Sequence, residues 1–256
     1  VPVSSLVEQK FGAAAADYAA SAVHAKGPSL ARAVAVAAPQ ADWAVLDVAT
    51  GAGHTALAFA PHVARVVASD LTEEMLAQAR RLAAERGLAN VTTARMDAAA
   101  LAEPDASFDL VTCRLAAHHF PDPGAFVREA HRVLKPGGTL LLIDNIAPED
   151  EAGERAYHAF EKLRDPSHAR ALSLPEWTGL MQKAGLGVRA FEVLDQDIGF
   201  EAWVARMRCD APTIARLRTM LDQSPLRQEL RPREAEGVFT FTLKEAIIAA
   251  RKAGEA

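Results

Sequence analysis

The sequence predicts an α/β fold, a mostly parallel sheet covered by helices on both faces. Three observations predict it. From Val45 onward short apolar runs alternate with amphipathic stretches, and short turns join them. The chain of 256 residues, 50% of them hydrophobic, is also long enough to bury the core of one large domain.

Ahead of the sheet, Gly27-Pro28 precedes Leu30, Ala33, Val34 and Ala37 at helical spacing as far as Pro39, so the first forty residues read as one or two helices. A central strand follows at 45–49, a helix near 55–63 and a second strand at 65–69. The helix opening at Glu73 places Met75, Leu76, Ala79, Leu82 and Ala83 on one face, and Gly87 closes it at a C-cap position. Strands are predicted at 91–95, 108–113 and 139–144. Between the last two, a helix at 125–134 turns Phe126, Val127, Ala130, Val133 and Leu134 inward until Lys135-Pro136-Gly137-Gly138 stops it.

Past Asp144 the rhythm changes. A polar helix at 149–164 leads into Asp165-Pro166-Ser167-His168, and an amphipathic helix occupies 175–184. Gly185-Leu186-Gly187 turns into a strand at 188–195, and a final strand is predicted at 237–243. Roughly forty residues of Pro-punctuated helical sequence separate those two strands, the size of a lid insertion. Trp177, Met181, Trp203 and Met207 fall at intervals that suit helix cores.

The chemistry concentrates in Asp47-Val48-Ala49-Thr50-Gly51-Ala52-Gly53-His54-Thr55. Gly51 and Gly53 break the first strand with a turn that tolerates positive φ and lets backbone approach a ligand at the carboxyl edge of the sheet. The next strand ends in Asp70, whose carboxylate can accept from both hydroxyls of a ribose. Asp70 or Thr72 can equally cap the helix opening at Glu73, and a cap by Thr72 leaves Asp70 available to a ribose.

Composition narrows the partners. A net charge of -5 and the lack of a long Lys/Arg cluster argue against a nucleic-acid partner and for a small molecule. No run approaches the roughly 18 apolar residues that span a bilayer, so no stable membrane insertion is expected. The amino-terminal stretch lacks a signal-peptide pattern, and two widely spaced cysteines, Cys113 and Cys209, form neither a disulfide framework nor a zinc motif. A cytoplasmic setting is expected. The chain begins at Val1, which implies a processed, trimmed or engineered start.

Taken together, the 47–55 turn, Ser69-Asp70-Leu71, Met96-Asp97-Ala98, Phe108-Asp109-Leu110-Val111 and Leu134-Lys135-Pro136-Gly137-Gly138 resemble, in order and spacing, the Rossmann-like S-adenosylmethionine-dependent methyltransferases. The likeness is greatest to the small-molecule branch akin to ubiquinone and menaquinone biosynthesis enzymes. It spans residues 42–146, with a looser match in Tyr18, Ser21, His24, Gly27 and Arg164 to His168. The resemblance implies a seven-stranded sheet with its last strand antiparallel. It divides one domain, 1–256, into a helical cover (1–40), a cofactor-binding core (41–146) and the remaining strands with helical lid insertions (147–256).

For S-adenosylmethionine and its product S-adenosylhomocysteine, the resemblance implies that Asp47, Thr50, Gly51 and Gly53 hold the amino-acid end and Asp70 the ribose. Leu71 would lie against the adenine, with Asp97 and the Ala98 N–H at its polar edge; Asp97 can also be a turn or helix cap. Tyr18 would cover or bond the cofactor, and Arg114 would meet the cofactor carboxylate or a structural one. His54, where many relatives carry a smaller or acidic residue, reads as a helix start. His118 and His119 follow the fourth strand, where the architecture aims residues at the reacting methyl group. Either can act as an acid–base group or pack against the cofactor. His24, Arg164 and His168, with Asp165, would line the acceptor.

The implied reaction is an in-line methyl transfer to carbon, oxygen or nitrogen of a small acceptor, by a monomer or a homodimer. Asp144-Asn145 resembles the pair used by magnesium-dependent catechol-type enzymes, yet Cys113 and Arg114 stand where those need an acid, so no metal is expected. Two other readings remain open at this level. One is a protein that binds S-adenosylmethionine without catalysis. The other, a nicotinamide-dependent oxidoreductase, would carry a third glycine where His54-Thr55-Ala56 stands.

Overall fold

Strands buried on both faces need covers on both faces, and the two-residue period of a strand divides its apolar side chains between two layers. A computed structural model describes Gly12, Ala15, Ala19 and residues 27–254 of the protein. Strands β1 (Ala44–Val48), β2 (Arg65–Asp70), β3 (Val91–Arg95), β4 (Phe108–Arg114) and β5 (Leu134–Asn145) are parallel, in the order β3-β2-β1-β4-β5. Beyond β5, β8 (Val238–Lys252) pairs antiparallel with β5 on one side and with β6 (Leu186–Gly199) on the other.

Alternate residues feed opposite layers. Leu46, Val67, Val111, Leu142 and Ile248 meet helices α4 (Pro123–Val133) and α6 (Leu174–Lys183) on one face. Their neighbours Val45, Val66, Leu110, Leu141 and Ile247 meet α1 (Pro28–Ala37) and α2 (His54–Phe59) on the other. Helix α3 (Glu73–Glu85) presses Ala79 against the turn before α2. Side chains start the helices where the sequence supplies them: Asp122 accepts from Ala125 N at 2.9 Å, and Ser173 with Glu176 forms a capping box on α6.

The sheet has eight strands where seven are expected. Seven form the continuous path, and the eighth, β7 (Arg233–Ala235), is a three-residue arm folded onto the start of β8. The final strand also runs nine residues past 243, to Lys252. Ala246-Ile247-Ile248-Ala249-Ala250 suits a helix by composition, but it lies between two strands that satisfy its backbone on both sides. Likewise β5 starts at Leu134 because Leu134 pairs with Phe108 across a bulge, so the helix stop and the strand start coincide.

Because Asn145, the last residue of β5, pairs with Glu245, the first half of β8 projects past the carboxyl edge together with the end of β6. Helices α5 (Glu151–Arg164), α7 (Phe200–Arg206), α8 (Ala211–Leu221) and α9 (Leu226–Leu230) close around this overhang in a third core built on Phe160, Trp203, Leu217, Leu221 and Phe241. The insertion between the last two long strands is therefore three packed helices over the functional edge of the sheet. None of the described helices is long and apolar enough to cross a membrane.

Ile248 is fully buried in the middle of β8. Ile248→Ala is expected to lower the unfolding free energy by about 2–5 kcal/mol, read as a lower urea midpoint at unchanged slope.

Candidate active site

The strand order reverses between β1 and β4, and ligands of open α/β sheets bind at such a switch point. Two non-glycine residues there, Ala49 (φ 52°) and Leu115 (φ 55°), take left-handed backbone as the chain leaves β1 and β4. Such conformations cost on the order of 1–3 kcal/mol and cluster at functional sites.

A cavity of about 320 Å³ opens at this edge. Its rim is organised by Asp47, which is 1% exposed. Thr50 Oγ1 donates to Asp47 Oδ2 at 2.5 Å, Ala56 N to the same oxygen at 3.1 Å, and Thr112 Oγ1 to Oδ1 at 2.6 Å. Burial pushes the Asp47 carboxyl up to about 6 against those bonds and the charge of Arg114. Three donors already occupy Asp47, so it shapes the turn and keeps one acceptor position over, of roughly four on a carboxylate.

Asp70 lies on the cavity wall, accepting from Gly51 N at 2.8 Å and Thr72 N at 2.9 Å, one bond per oxygen. Burial raises its pKa, opposed by those backbone bonds. Each oxygen keeps room for a further donor, which is what a diol requires. Thr72 occupies the N-cap of α3 without a side-chain cap bond. Leu71, Met75 and Met96 supply an apolar wall, while Asp97 spends one oxygen on Ala99 N and lies beside Ala98 at the same cavity. At Gly51 (φ +54°) an added Cβ meets nothing within 4 Å. An open backbone turn, a diol-ready acid and an apolar wall ending in a carboxylate fit S-adenosylmethionine.

Gly53 departs from expectation. It does not line the cavity; at φ +89° it lets Ala79 approach so closely that a Cβ would stand 2.8 Å from the Ala79 Cβ. It is a packing glycine. His54 opens α2, as its position predicts, and is buried against the cavity. Tyr18, Ser21 and His24 lie outside the described residues.

A second cavity, of about 120 Å³, shares Arg114, Leu115 and His119 with the first. Arg114 Nε donates to Thr55 Oγ1 at 3.0 Å, which fixes the guanidinium between the two spaces. The second cavity gathers residues far apart in sequence: His118, Tyr157, Glu161, Arg164, His168 and Glu245 all face it. The Asp165–His168 turn is stitched to the histidine turn, since Ala169 N and Arg170 N both donate to His118 O at 3.0 Å.

His118 and His119 differ in electrostatics. His118 Nδ1 donates to Asp144 Oδ1 at 2.6 Å, and its backbone N to Asp144 Oδ2 at 2.8 Å. An acceptor-only carboxylate fixes the proton on Nδ1, so neutral His118 presents Nε2 as a base. Burial alone would lower the His118 pKa, but the charge and hydrogen bond of Asp144, with Glu161 and Asp165 behind them, carry it above the ordinary value. His119 donates Nδ1–H to Ser167 O at 3.0 Å; burial and the neighbouring His118 charge pull it down to about 4, so it is neutral at pH 7. Among the described residues, no three His, Cys, Asp or Glu side chains converge as a metal-ligand set.

Asp144, Glu161 and Glu245 are the residues that sequence reasoning passed over. Asp144 was visible only as half of a metal-type pair, whereas here it orients His118. Glu161 sits four residues after Tyr157 and next to Phe160, on the buried face of α5, a spacing that marks it as unusual. Glu245 carries no such signal, because it lies past the predicted end of its strand at 243.

Comparison with known proteins places these features. A methyltransferase-domain family model matches residues 46–142. The chain is 37% identical over 238 residues to the uncharacterized methyltransferase YcgJ of Bacillus subtilis, covering 93% of this chain and 91% of that one. The crystal structure of YcgJ superimposes with a TM-score of 0.84 at 36% identity, over 89% of this chain and 99% of YcgJ. The demethylmenaquinone methyltransferase of Thermus thermophilus is 39% identical over 131 residues, 50% of this chain and 59% of the relative.

Asp70→Asn is expected to weaken S-adenosylmethionine about ten- to a hundredfold, the loss of one or two charge-assisted hydrogen bonds, with an unchanged circular dichroism spectrum; unaltered affinity by calorimetry would remove Asp70 from the site. Gly53→Ala, forced into positive φ against Ala79, is expected to destabilise the fold by about 1–3 kcal/mol in urea.

Proposed function

Because the chain belongs to the Rossmann-like, S-adenosylmethionine-dependent methyltransferases, we propose that it methylates a small-molecule acceptor held in the second cavity, with His118 as the base that takes the acceptor's proton. One observation carries this reading: a cofactor-shaped cavity and a smaller polar one meet at Arg114, Leu115 and His119, and the smaller one contains an Asp144-oriented imidazole.

The cofactor brings an electrophilic methyl group on a sulfonium, so no nucleophilic side chain is required of the protein. Asp47, through Thr50, Thr112 and the start of α2, holds the turn that would receive the amino-acid end. Asp70 receives the ribose, and Leu71, Asp97 and Ala98 the adenine. Arg114 and Leu115 separate the two spaces and fix the direction of approach, which is where alignment contributes most in such displacements, on the order of 7–11 kcal/mol. Helices α5 and α7 cover the acceptor side through Arg164 and Trp203, keeping bulk water from the reacting atoms.

His118 would remove the proton from an acceptor oxygen, nitrogen or acidic carbon through Nε2, while Asp144 stabilises the imidazolium that results. His119, held neutral and bonded to the Ser167 carbonyl, is a positioning residue for the 165–168 turn. His168 Nε2 lies 3.1 Å from His158 Nδ1, and burial together with the surrounding histidines keeps its pKa far below the ordinary value. It serves as a neutral wall.

The first test is calorimetry with S-adenosylmethionine, S-adenosylhomocysteine and NAD in parallel. Binding of the two sulfur nucleotides alone supports the reading, and binding of NAD alone overturns it. Once an acceptor is found, His118→Asn should lower kcat about a hundred- to ten-thousandfold without weakening the cofactor. Because the base acts deprotonated and its pKa is raised, activity should fall with decreasing pH along a limb centred above 6.5. Loss of that limb in His118→Asn assigns it, whereas an identical profile in the variant would reduce His118 to packing.

A further inference from the structure

We propose that the second cavity selects acceptors carrying an amine, anchored by Glu161 and Glu245. The proposal rests on the reading of that cavity as the acceptor site and adds the chemical class that it admits.

Among the described residues, three buried carboxylates face this cavity, Asp165, Glu161 and Glu245; Asp165 spends an oxygen on Ser167 of its own turn, whereas the other two come from separate elements. Glu161, on α5, is 6% exposed, and Glu245, on β8 beside Asn145, is 4% exposed. Each has one partner group already. Arg164 Nη1 stands 3.7 Å from Glu161 Oε2, and the Ser29 hydroxyl lies near enough to the Glu245 carboxylate to oppose the effect of its burial. Each also keeps a second oxygen, Oε1, that is buried and meets no hydrogen-bond donor among the described residues. A fold seldom leaves one buried acceptor unmet, because it forfeits its water without replacement. Two on the wall of one cavity indicate a ligand that brings the donors.

The sign of that ligand follows from the same wall. Burial raises the pKa of both carboxyls even against the charges of Arg164 and Arg206 at Glu161 and of Arg114 at Glu245, so a further positive group placed at the unmet oxygens would favour their charged form. Arg114, Arg164 and Arg206 share the wall, and the charge of Arg206, like that of Arg164, already acts on Glu161. Arg114 is tied to Thr55, while Arg164 donates to Trp203 O at 3.2 Å and lies 4.5 Å over the Trp203 ring. An acceptor carboxylate would face Glu161 and Glu245 across a desolvated space, and an uncharged apolar acceptor would leave both oxygens unmet. An ammonium or amine N–H group answers both.

Size points the same way. About 120 Å³ admits a compact acceptor, of roughly one ring, not one enclosed together with a long hydrocarbon tail. Glu161 adds to the field at His118, and Glu245 to the field at Asp144. The anchors therefore flank the base pair, and the amine end would be held while another group of the acceptor faces His118.

The test is calorimetry on the full chain saturated with S-adenosylhomocysteine, using three matched phenols: tyramine, 4-ethylphenol and 3-(4-hydroxyphenyl)propionate. Tyramine is expected to bind at least about tenfold more tightly than the other two. Glu161→Gln and Glu245→Gln, nearly isosteric, should each erode that margin at least about threefold while leaving the S-adenosylhomocysteine affinity and the thermal midpoint in place. Equal binding of the three phenols, preference for the acid, binding of none of them, or a margin untouched in both variants would overturn the amine assignment with the cofactor reading intact. A chain that fails to bind S-adenosylhomocysteine at all would overturn the reading of the first cavity, and this proposal with it.

Discussion

The buried carboxylate of Asp47 is the tie on which the functional edge depends. It joins β1 to the turn through Thr50, to the start of α2 through the Ala56 amide, and to β4 through Thr112. Those three donors bridge the place where the strand order reverses, so β1 and β4 cannot part without stranding a charge in the core. Burial raises its pKa, the mark of a group whose placement the surrounding fold must over-determine. With the switch point pinned, Gly51 presents its backbone to the first cavity and Arg114 reaches across to Thr55.

A second constraint builds the second cavity. Strand β8 is longer than the parallel strands it completes, and its overhang with β6 gives α5, α7, α8 and α9 a surface on which to assemble a third core. The same overhang places Glu245 beside the end of β5, and α5 brings Glu161 to the same cavity as the histidine turn. The third core and the cavity wall share residues, since Trp203 belongs to both. The first cavity relies on turns at strand ends, whereas the second relies on helix packing over an extended ribbon.

His118 and His119 show how position, more than residue type, sets chemistry. Both are buried and adjacent, yet one is held by a carboxylate and the other by a carbonyl. The close Asp144 carboxylate favours the imidazolium of His118, while burial and the His118 charge outweigh the more distant Asp165 at His119, so one imidazole has a raised pKa and the other is held neutral. The asymmetry originates in Asp144, the last buried residue of β5.

The sequence by itself determined the alternation of elements, the Gly51 turn, the acid at the end of β2 and the apolar faces of α3 and α4, because each is written in local periodicity or in turn chemistry. It also pointed to Arg164 and His168 beside His118, from resemblance. Tertiary structure decided that Gly53 packs against Ala79, that Asp47 is spent on the turn, and that residues 244–252 are strand. It also decided that Glu161, Glu245 and Asp144 converge on one space. The physical reason is common to all of these. A hydrogen bond or a helix contact between residues tens of positions apart leaves no trace in local spacing, and an alanine-rich segment takes the conformation that its two neighbouring strands impose.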